Sequence, residues 1–234
     1  ESSDIRLSAY HEEVNGWHGG LGVQFNHSDY NAVGEEAFTP GNSTSSYALY
    51  VIEQKNVGDV TFELGGRLER TTLDAEASEI ELEVLQEAHE GEEHDEDHEG
   101  EEHEEHAVAF TFPDYDFTSV SLSAGANWEY QEGHSIAVTL SRSECAPSQQ
   151  ELFSAGQHLA TQSYEVGLVF DMDDEGHIEE TLKGVKEEVS TNLDLTFRKF
   201  TGDWGYSVSF FYNQADDYIY QTSKGLIALT EHEE

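Results

Sequence analysis

The chain has 234 residues, enough for one sizeable domain, and a formal net charge of −40 from 50 acidic against 10 basic residues. That balance excludes nucleic acid as a partner, because phosphate recognition needs clustered lysine and arginine. Cys145 is the only cysteine, so neither a disulfide framework nor a Cys-type structural zinc site can form within the chain, and no apolar run reaches the length of a transmembrane helix.

The segment Ile5 to His11 alternates apolar and polar residues and predicts a first strand. Asn15-Gly16 is a strong hairpin signal. Leu21, Val23 and Phe25 then alternate with Gly20, Gly22, Gln24 and Asn26 as a second strand. A polar stretch from His27 to Ser46 leads to a third strand over Tyr47 to Lys55. The turn Asn56-Val57-Gly58-Asp59 leads to a fourth, where Val60, Phe62, Leu64, Gly66 and Leu68 alternate with Thr61, Glu63, Gly65, Arg67 and Glu69. A long connection follows from Leu73 to Asp114. Within it, the spacing of Ile80, Leu82, Val84 and Leu85 is compatible with a short helix over 78–88.

The fifth strand is the cleanest. Val120, Leu122, Ala124, Ala126, Trp128 and Tyr130 fall on one face, with Ser119, Ser121, Ser123, Gly125 and Asn127 on the other. The turn Gln131-Glu132-Gly133 joins it to a sixth, in which Ile136, Val138 and Leu140 oppose Ala137, Thr139 and Ser141. A second long irregular stretch runs over 144–187. Strand seven places Leu193, Leu195 and Phe197 opposite Asn192, Asp194, Thr196 and Arg198. After Thr201-Gly202-Asp203, strand eight places Trp204, Tyr206, Val208, Phe210 and Tyr212 opposite Gly205, Ser207, Ser209 and Phe211.

Connections therefore alternate short and long, every short one a tight turn and every long one polar. Outer-membrane barrels have this alternation, with short periplasmic turns and long extracellular loops. Parity places 30–46, 73–114 and 144–187 on one outer side. Aromatic residues close the apolar faces near the turns (Trp128, Tyr130, Trp204, Tyr206), as in an interfacial girdle. The low mean hydropathy of −0.62 is no objection, because only alternate residues of such strands face lipid. The fold class is all-β: an antiparallel transmembrane β-barrel built as a meander of about eight strands.

The chemistry concentrates between Gln86 and His106. Five histidines, His89, His94, His98, His103 and His106, stand among carboxylates that include Glu93, Asp95 and Asp97, and no lysine or arginine occurs between Thr71 and Ser141. Neutral imidazole suits Zn²⁺, and also Ni²⁺ and Cu²⁺, while carboxylates add oxygen ligands and draw cations from a distance. A solvated acidic loop does not need histidine at such intervals. The many near-equivalent ligand sets point to adaptable capture of zinc as a transported ion rather than to one rigid site. His158, in a predicted outer loop, and His177, within Asp171-Met172-Asp173-Asp174-Glu175-Gly176-His177, are further metal candidates. Asp171, Asp173 and Glu175 faintly match a calcium loop whose remaining ligands are missing. His18, His27 and His134 are read as ordinary strand-end residues, and Arg67, Glu69 and Arg142 as lumenal charges. No nucleophile elbow or catalytic set is visible, so no enzyme activity is expected.

The stretch Ser141-Arg142-Ser143-Glu144-Cys145-Ala146-Pro147-Ser148-Gln149-Gln150-Glu151-Leu152-Phe153 resembles a recurrent barrel motif of TonB-dependent outer-membrane receptors. Gly156 to Thr161, Tyr164-Glu165-Val166-Gly167, Glu188 to Leu195, Phe211-Tyr212-Asn213 and Asp217 to Tyr220 are similar to the zinc-uptake branch of that family (ZnuD type). Cys145 stands where the family usually has arginine, and 168–186 looks like an acidic insertion. The resemblance implies a barrel of about 22 strands with an N-terminal plug, of which this chain is expected to be an internal piece with the plug absent. It also implies an outer-membrane location, contact with outer-membrane lipid and energy from the TonB complex. The function expected is a receptor segment that collects metal ions, zinc first, for uptake into the periplasm. Three alternatives are a haem or siderophore receptor on the same fold, a non-transport metal-binding barrel and a soluble periplasmic metal-binding protein. A fourth, an outer-membrane protease or lipase, lacks its catalytic group.

Overall fold

The computed structural model describes residues 1–31, 38–81, 85–87, 107–158, 163–172 and 178–228. Eight strands form one antiparallel sheet in sequential meander order: β1 Ser2–Val14, β2 Trp17–Tyr30, β3 Asn42–Val57, β4 Val60–Ala75, β5 Tyr115–Gln131, β6 His134–Cys145, β7 Glu188–Lys199 and β8 Tyr206–Asp216. The four tight turns lie at one end of the sheet and the three long connections at the other, which we call the mouth. The first turn uses left-handed backbone at both Asn15 and Gly16, with φ of 53° and 84°, as a two-residue hairpin of the primed type requires.

Register carries the apolar pattern across strands. Leu7, Val23, Leu49, Leu68 and Val120 are successive partners from β1 to β5. Leu140 joins Ala124 to Leu193, and Leu195 joins Val138 to Phe210. A slip of one residue would turn this whole set over to the polar face, so the pattern itself fixes the register. The apolar side chains stay solvent-facing; Leu7, Leu122 and Phe210 are each more than 60% exposed. That is a liability in water and the expected surface of a sheet that meets lipid. The opposite face carries rows such as Arg6, Gln24, Ala48, Glu69 and Ser119.

The structure corrects several expectations. The strands run further toward the mouth than the apolar alternation: Asn42–Ser46 belongs to β3 and Thr71–Ala75 to β4. These ends are rich in Ser and Thr and are held by ladder hydrogen bonds rather than by apolar burial. β8 begins at Tyr206, not Trp204, because Trp204 sits in the preceding connection. The described residues of 78–88 form no helix. Instead Ser78–Glu81 pairs with Ala107–Phe110, and Leu85–Glu87 pairs with Leu226–Ala228. Arg142 is not lumenal. It pairs with Leu122 and Thr191 and shares the face of Leu140, two residues back. Lastly, 144–187 is largely structured, with helix α1 at Gln149–Phe153 and two short hairpins, Ala155–His158 with Ser163–Val166 and Phe170–Met172 with Ile178–Leu182.

The core sits at the mouth. Leu73, Tyr115 and Phe117, on the polar-face parity of β4 and β5, are covered by Phe110, Phe112, Leu152, Phe153, Val169, Phe170 and Ile178 from two long connections. Phe112 and Phe170 meet edge to face with Phe153 and Phe110 at 5.3 and 5.2 Å. The sheet is thus thin and open along most of its length, and at its mouth the polar-parity face of β4 and β5 is covered by an aromatic cluster, here called the dome.

Candidate functional site

Two regions carry polar chemistry: the inner face below the dome, and the dome's own outer loops. On the inner face, Gln24 Oε1 accepts from Arg6 Nη2 at 3.0 Å and from Arg67 Nη1 at 3.2 Å, while Gln24 Nε2 donates to Asp4 Oδ2 at 2.7 Å. Arg67 also holds Glu69. Two guanidinium groups and two carboxylates thus balance around one amide, beside a recess of about 190 Å³ lined by Gln24, Asn26, Ser46, Ala48, Arg67 and Glu69. Tyr50 lies flat across Gly22 to reach the Ser8 hydroxyl at 2.6 Å. A Cβ at Gly22 would fall on the Tyr50 hydroxyl, so glycine is what allows this crossing. Ser119 donates to Glu187 Oε1 at 2.5 Å and ties the start of β7 to the inner face.

Helix α1 explains the motif that contains it. Ser148 caps the helix as a reciprocal box: its Oγ accepts from Glu151 N at 3.2 Å, and Glu151 Oε2 accepts from Ser148 N at 2.7 Å. This one turn delivers Leu152 and Phe153 into the dome with no exposure at all. Carbonyls of the same turn then receive the next hairpin: Gly167 N donates to Ser154 O at 2.6 Å and Leu168 N to Glu151 O at 2.8 Å.

All three long connections meet here. Ala155 N donates to Phe38 O at 2.7 Å, and Glu76 N donates to Gly41 O at 2.8 Å. His158, on the first hairpin of this loop, stands edge-on to Phe38 with ring centroids 5.0 Å apart, and its Nδ1 lies 3.3 Å from Glu165 Oε1 on the paired strand. A carboxylate on one ring nitrogen orients an imidazole and raises its basicity as a metal ligand.

Carboxylates dominate the mouth. Asp74, at the end of β4, has its pKa raised by burial and by Asp114 and Asp116 beside it. Asp116 goes the other way, lowered by hydrogen bonds from Thr72 and Arg70. Cys145 ends β6 as an exposed thiol. Its pKa is pushed up first by partial desolvation beside the packed loop and then by Glu188, Glu151, Glu69 and Glu187. Within the dome, burial also raises the pKa of Tyr115, whose hydroxyl has no hydrogen-bond partner among the described residues.

Of the expected metal ligands, His158 is placed at the mouth. His89, His94, His98, His103, His106, Glu93, Asp95, Asp97 and His177 lie outside the described residues. The run that holds the five histidines follows Glu87, which pairs with Leu226, and precedes Ala107, which pairs with Glu81. Among the described residues no three His, Cys, Asp or Glu side chains gather closely enough to hold an ion. Asp171 of the faint calcium pattern is held by Lys183 at 2.6 Å. His27 bonds Ser45 and Asp29, and His134 faces Glu132 O at 3.1 Å, so both act as strand-end residues. Glu165 and Phe38, the partners of His158, were not anticipated as such. The Ser148-x-x-Glu151 spacing was a readable signal for α1.

The family described as TonB dependent receptor-like, beta-barrel matches residues 3–229. Among solved structures, the chain is similar to the hemophore receptor HasR of Serratia marcescens, a double mutant in complex with its hemophore HasA and heme. The TM-score is 0.55 at 16% identity, and the match covers 93% of this chain and 33% of that one. The chain therefore spans about a third of that receptor, and the likeness speaks for the fold. The chain belongs to the TonB-dependent receptor β-barrel family, whose members are outer-membrane transport proteins rather than enzymes.

Proposed function

We propose that this chain is the metal-collecting part of an outer-membrane receptor barrel, and that its cargo is a divalent cation, zinc first. Its loops near 30–46, 73–114 and 144–187 form the ligand-facing side, and the plug and the remaining strands belong to the receptor as a whole. The observation that carries the reading is the run from His89 to His106: five imidazoles in a bed of carboxylates, flanked on each side by strand-paired residues. Carboxylates concentrate the cation and neutral imidazoles exchange water for nitrogen ligation. His158, held by Glu165, is a second contact on the same side.

A second reading has its own support. His158 is positioned by Glu165 and an aromatic ring, Phe38, and one positioned histidine beside an aromatic ring suits haem better than a bare ion. HasR was solved with heme. Calorimetry on the intact receptor separates the two. On the zinc reading, replacing His89, His94, His98, His103 and His106 together by alanine removes most Zn²⁺ binding, whereas one replacement does little because the ligands are redundant. Binding also weakens as pH falls through about 6, where imidazole protonates. If the five-alanine protein binds Zn²⁺ as tightly as the parent and His158→Ala abolishes haem binding, the haem reading replaces it.

A further inference from the structure

Where the ten basic residues of this chain go is informative, because each stands among five times as many acids. Arg67, Arg70, Arg142, Lys183 and Lys186 each hold a carboxylate. Arg6, Lys55, Arg198, Lys199 and Lys224 are in no ion pair among the described residues; Arg6 and Arg198 lie on the polar-face parity and Lys224 lies beyond the sheet, which leaves Lys55 and Lys199. Both lie on the apolar-face parity at the turn end of the sheet: Lys55 pairs with Trp17 and Phe62, and Lys199 with Tyr206.

The two lysines are built alike on separate hairpins. Lys55 folds back over Gly16 of the first turn, where a Cβ would lie 3.2 Å from its Cε; its Nζ donates to Asn15 O at 3.1 Å and sits 5.5 Å from the Trp17 ring centre. Lys199 folds back over Gly202; its Nζ donates to Trp204 O at 2.8 Å and sits 4.0 Å from the Trp204 ring centre. In each case one N–H is used on a turn carbonyl and one face of the ammonium rests on an indole. Among the described residues no carboxylate lies within ion-pair distance of either ammonium. The turn carboxylates Asp59 and Asp203 form no ion pair with either lysine among the described residues. Trp204 is 66% exposed, and Trp128, Tyr130 and Tyr206 stand at the same end of the sheet.

An indole belt marks the depth of lipid headgroups, and an ammonium held at that depth, pointing out of the sheet, meets the phosphodiester layer. We propose that Trp17–Lys55 and Trp204–Lys199 are two docking points for the phosphate of membrane phospholipids in the turn-side leaflet, selecting anionic headgroups over choline ones. The mouth-side cations on the same face, Arg70 and Arg142, are already matched by Asp116 and Glu144, so the preference belongs to one leaflet. This inference rests on the barrel fold and not on the metal reading, and its test contains no metal.

The intact receptor is placed in nanodiscs of equal phosphatidylglycerol and phosphatidylcholine, released, and its retained lipids counted by native mass spectrometry. Phosphatidylglycerol is retained in excess, and K55Q/K199Q loses that excess by about fivefold for each lysine. K55R/K199R keeps it. Inorganic phosphate at millimolar concentration does not displace the retained lipid, which separates a headgroup held at the belt from a free anion site. Independently of any variant, the wild-type excess shrinks as salt is raised. Equal retention of the two lipids, an excess insensitive to salt, or an unchanged excess in a correctly folded K55Q/K199Q protein would each overturn the proposal.

Discussion

Phe153 is where the dome can be taken apart without touching the sheet. Its side chain has no exposure and packs edge-on against Phe112 at 5.3 Å and Tyr115 at 5.6 Å. Truncation to alanine removes the buried ring and leaves a cavity between two connections that otherwise meet through Phe110 and Phe112 on Phe170, so Phe153→Ala is expected to cost about 3–5 kcal/mol locally. At 1.4 kcal/mol per factor of ten, local opening becomes roughly 10² to 10³·⁵ times more frequent. The reporters are the amides of Gly167, Leu168 and Val169, bonded to the carbonyls of Ser154, Glu151 and Leu152. Hydrogen exchange resolved by fragment mass spectrometry should show them accelerated by about that factor. Amides of β5 and β6 between Ala124 and Leu140, outside the cluster, should keep their rates, because distant sites respond independently. Unchanged exchange at 167–169, or equal acceleration throughout β5 and β6, would refute the view of the dome as a separate cooperative unit.

Leu140 lies seven residues from Gly133. At about 3.3 Å per residue and a tilt near 45°, that is roughly 16 Å from the turn, inside the apolar band. Leu140→Arg should therefore cost about 2–4 kcal/mol in bilayer unfolding titrations, and a neutral result would reject the lipid-facing assignment. Tyr115→Phe removes a buried hydroxyl with no partner among the described residues, so the variant should be as stable as the parent or up to about 2 kcal/mol more stable; a loss of stability would mean that the hydroxyl is satisfied. Because partial desolvation and four glutamates raise the thiol pKa of Cys145, less of it is thiolate at a given pH than for a free cysteine. Iodoacetamide should alkylate it more slowly at pH 8 in the folded protein than after unfolding, and equal rates would contradict the assigned surroundings.

The sheet was legible because its information is local. A period of two over ten or more residues defines a strand and its faces, Asn15-Gly16 and the other turns define the pairing, and register follows from aligning Leu7, Val23, Leu49, Leu68 and Val120. Arg142 was legible too. Counting two residues on from Leu140 puts it on the lipid-facing parity, and only the expectation that charges avoid that face pointed elsewhere. Near the mouth end of the apolar band a guanidinium paired with Glu144 is tolerated there. The strand ends were less legible, since Asn42–Ser46 and Thr71–Ala75 are polar on both faces and carry no alternation. The dome was not legible. Its residues come from stretches separated by up to a hundred positions, each with two or three apolar residues that no periodicity organises. They acquire a common core only when the sheet brings the ends of β4, β5, β6 and β7 together. The metal ligands could be named from residue type alone, which is a statement about chemistry and not about geometry, and apart from His158 they lie outside the described residues.

On the metal-capture reading, the dome imposes a condition on any path inward. A cation gathered by the imidazoles and carboxylates of the run faces Leu73, Phe110, Phe112, Phe117, Leu152, Phe153, Val169 and Phe170, an apolar layer in which the Tyr115 hydroxyl is the one polar group without a hydrogen-bond partner among the described residues. Moving a bare divalent ion into such surroundings costs far more than any binding site returns. Below that layer the inner face again offers oxygen, from Glu69, Glu187, Asp4 and Gln24, but Arg67 and Arg6 already balance part of it. Capture and passage are then separable. Capture needs only the run from His89 to His106 and should survive damage to the dome, whereas passage on this reading needs the dome to open. Phe153→Ala should leave Zn²⁺ affinity at the run unchanged within about twofold while altering uptake by the whole receptor. If affinity fell together with dome stability, ligands would have to be shared between the run and the dome, and His158, held by Glu165 against Phe38, is the residue placed to share them.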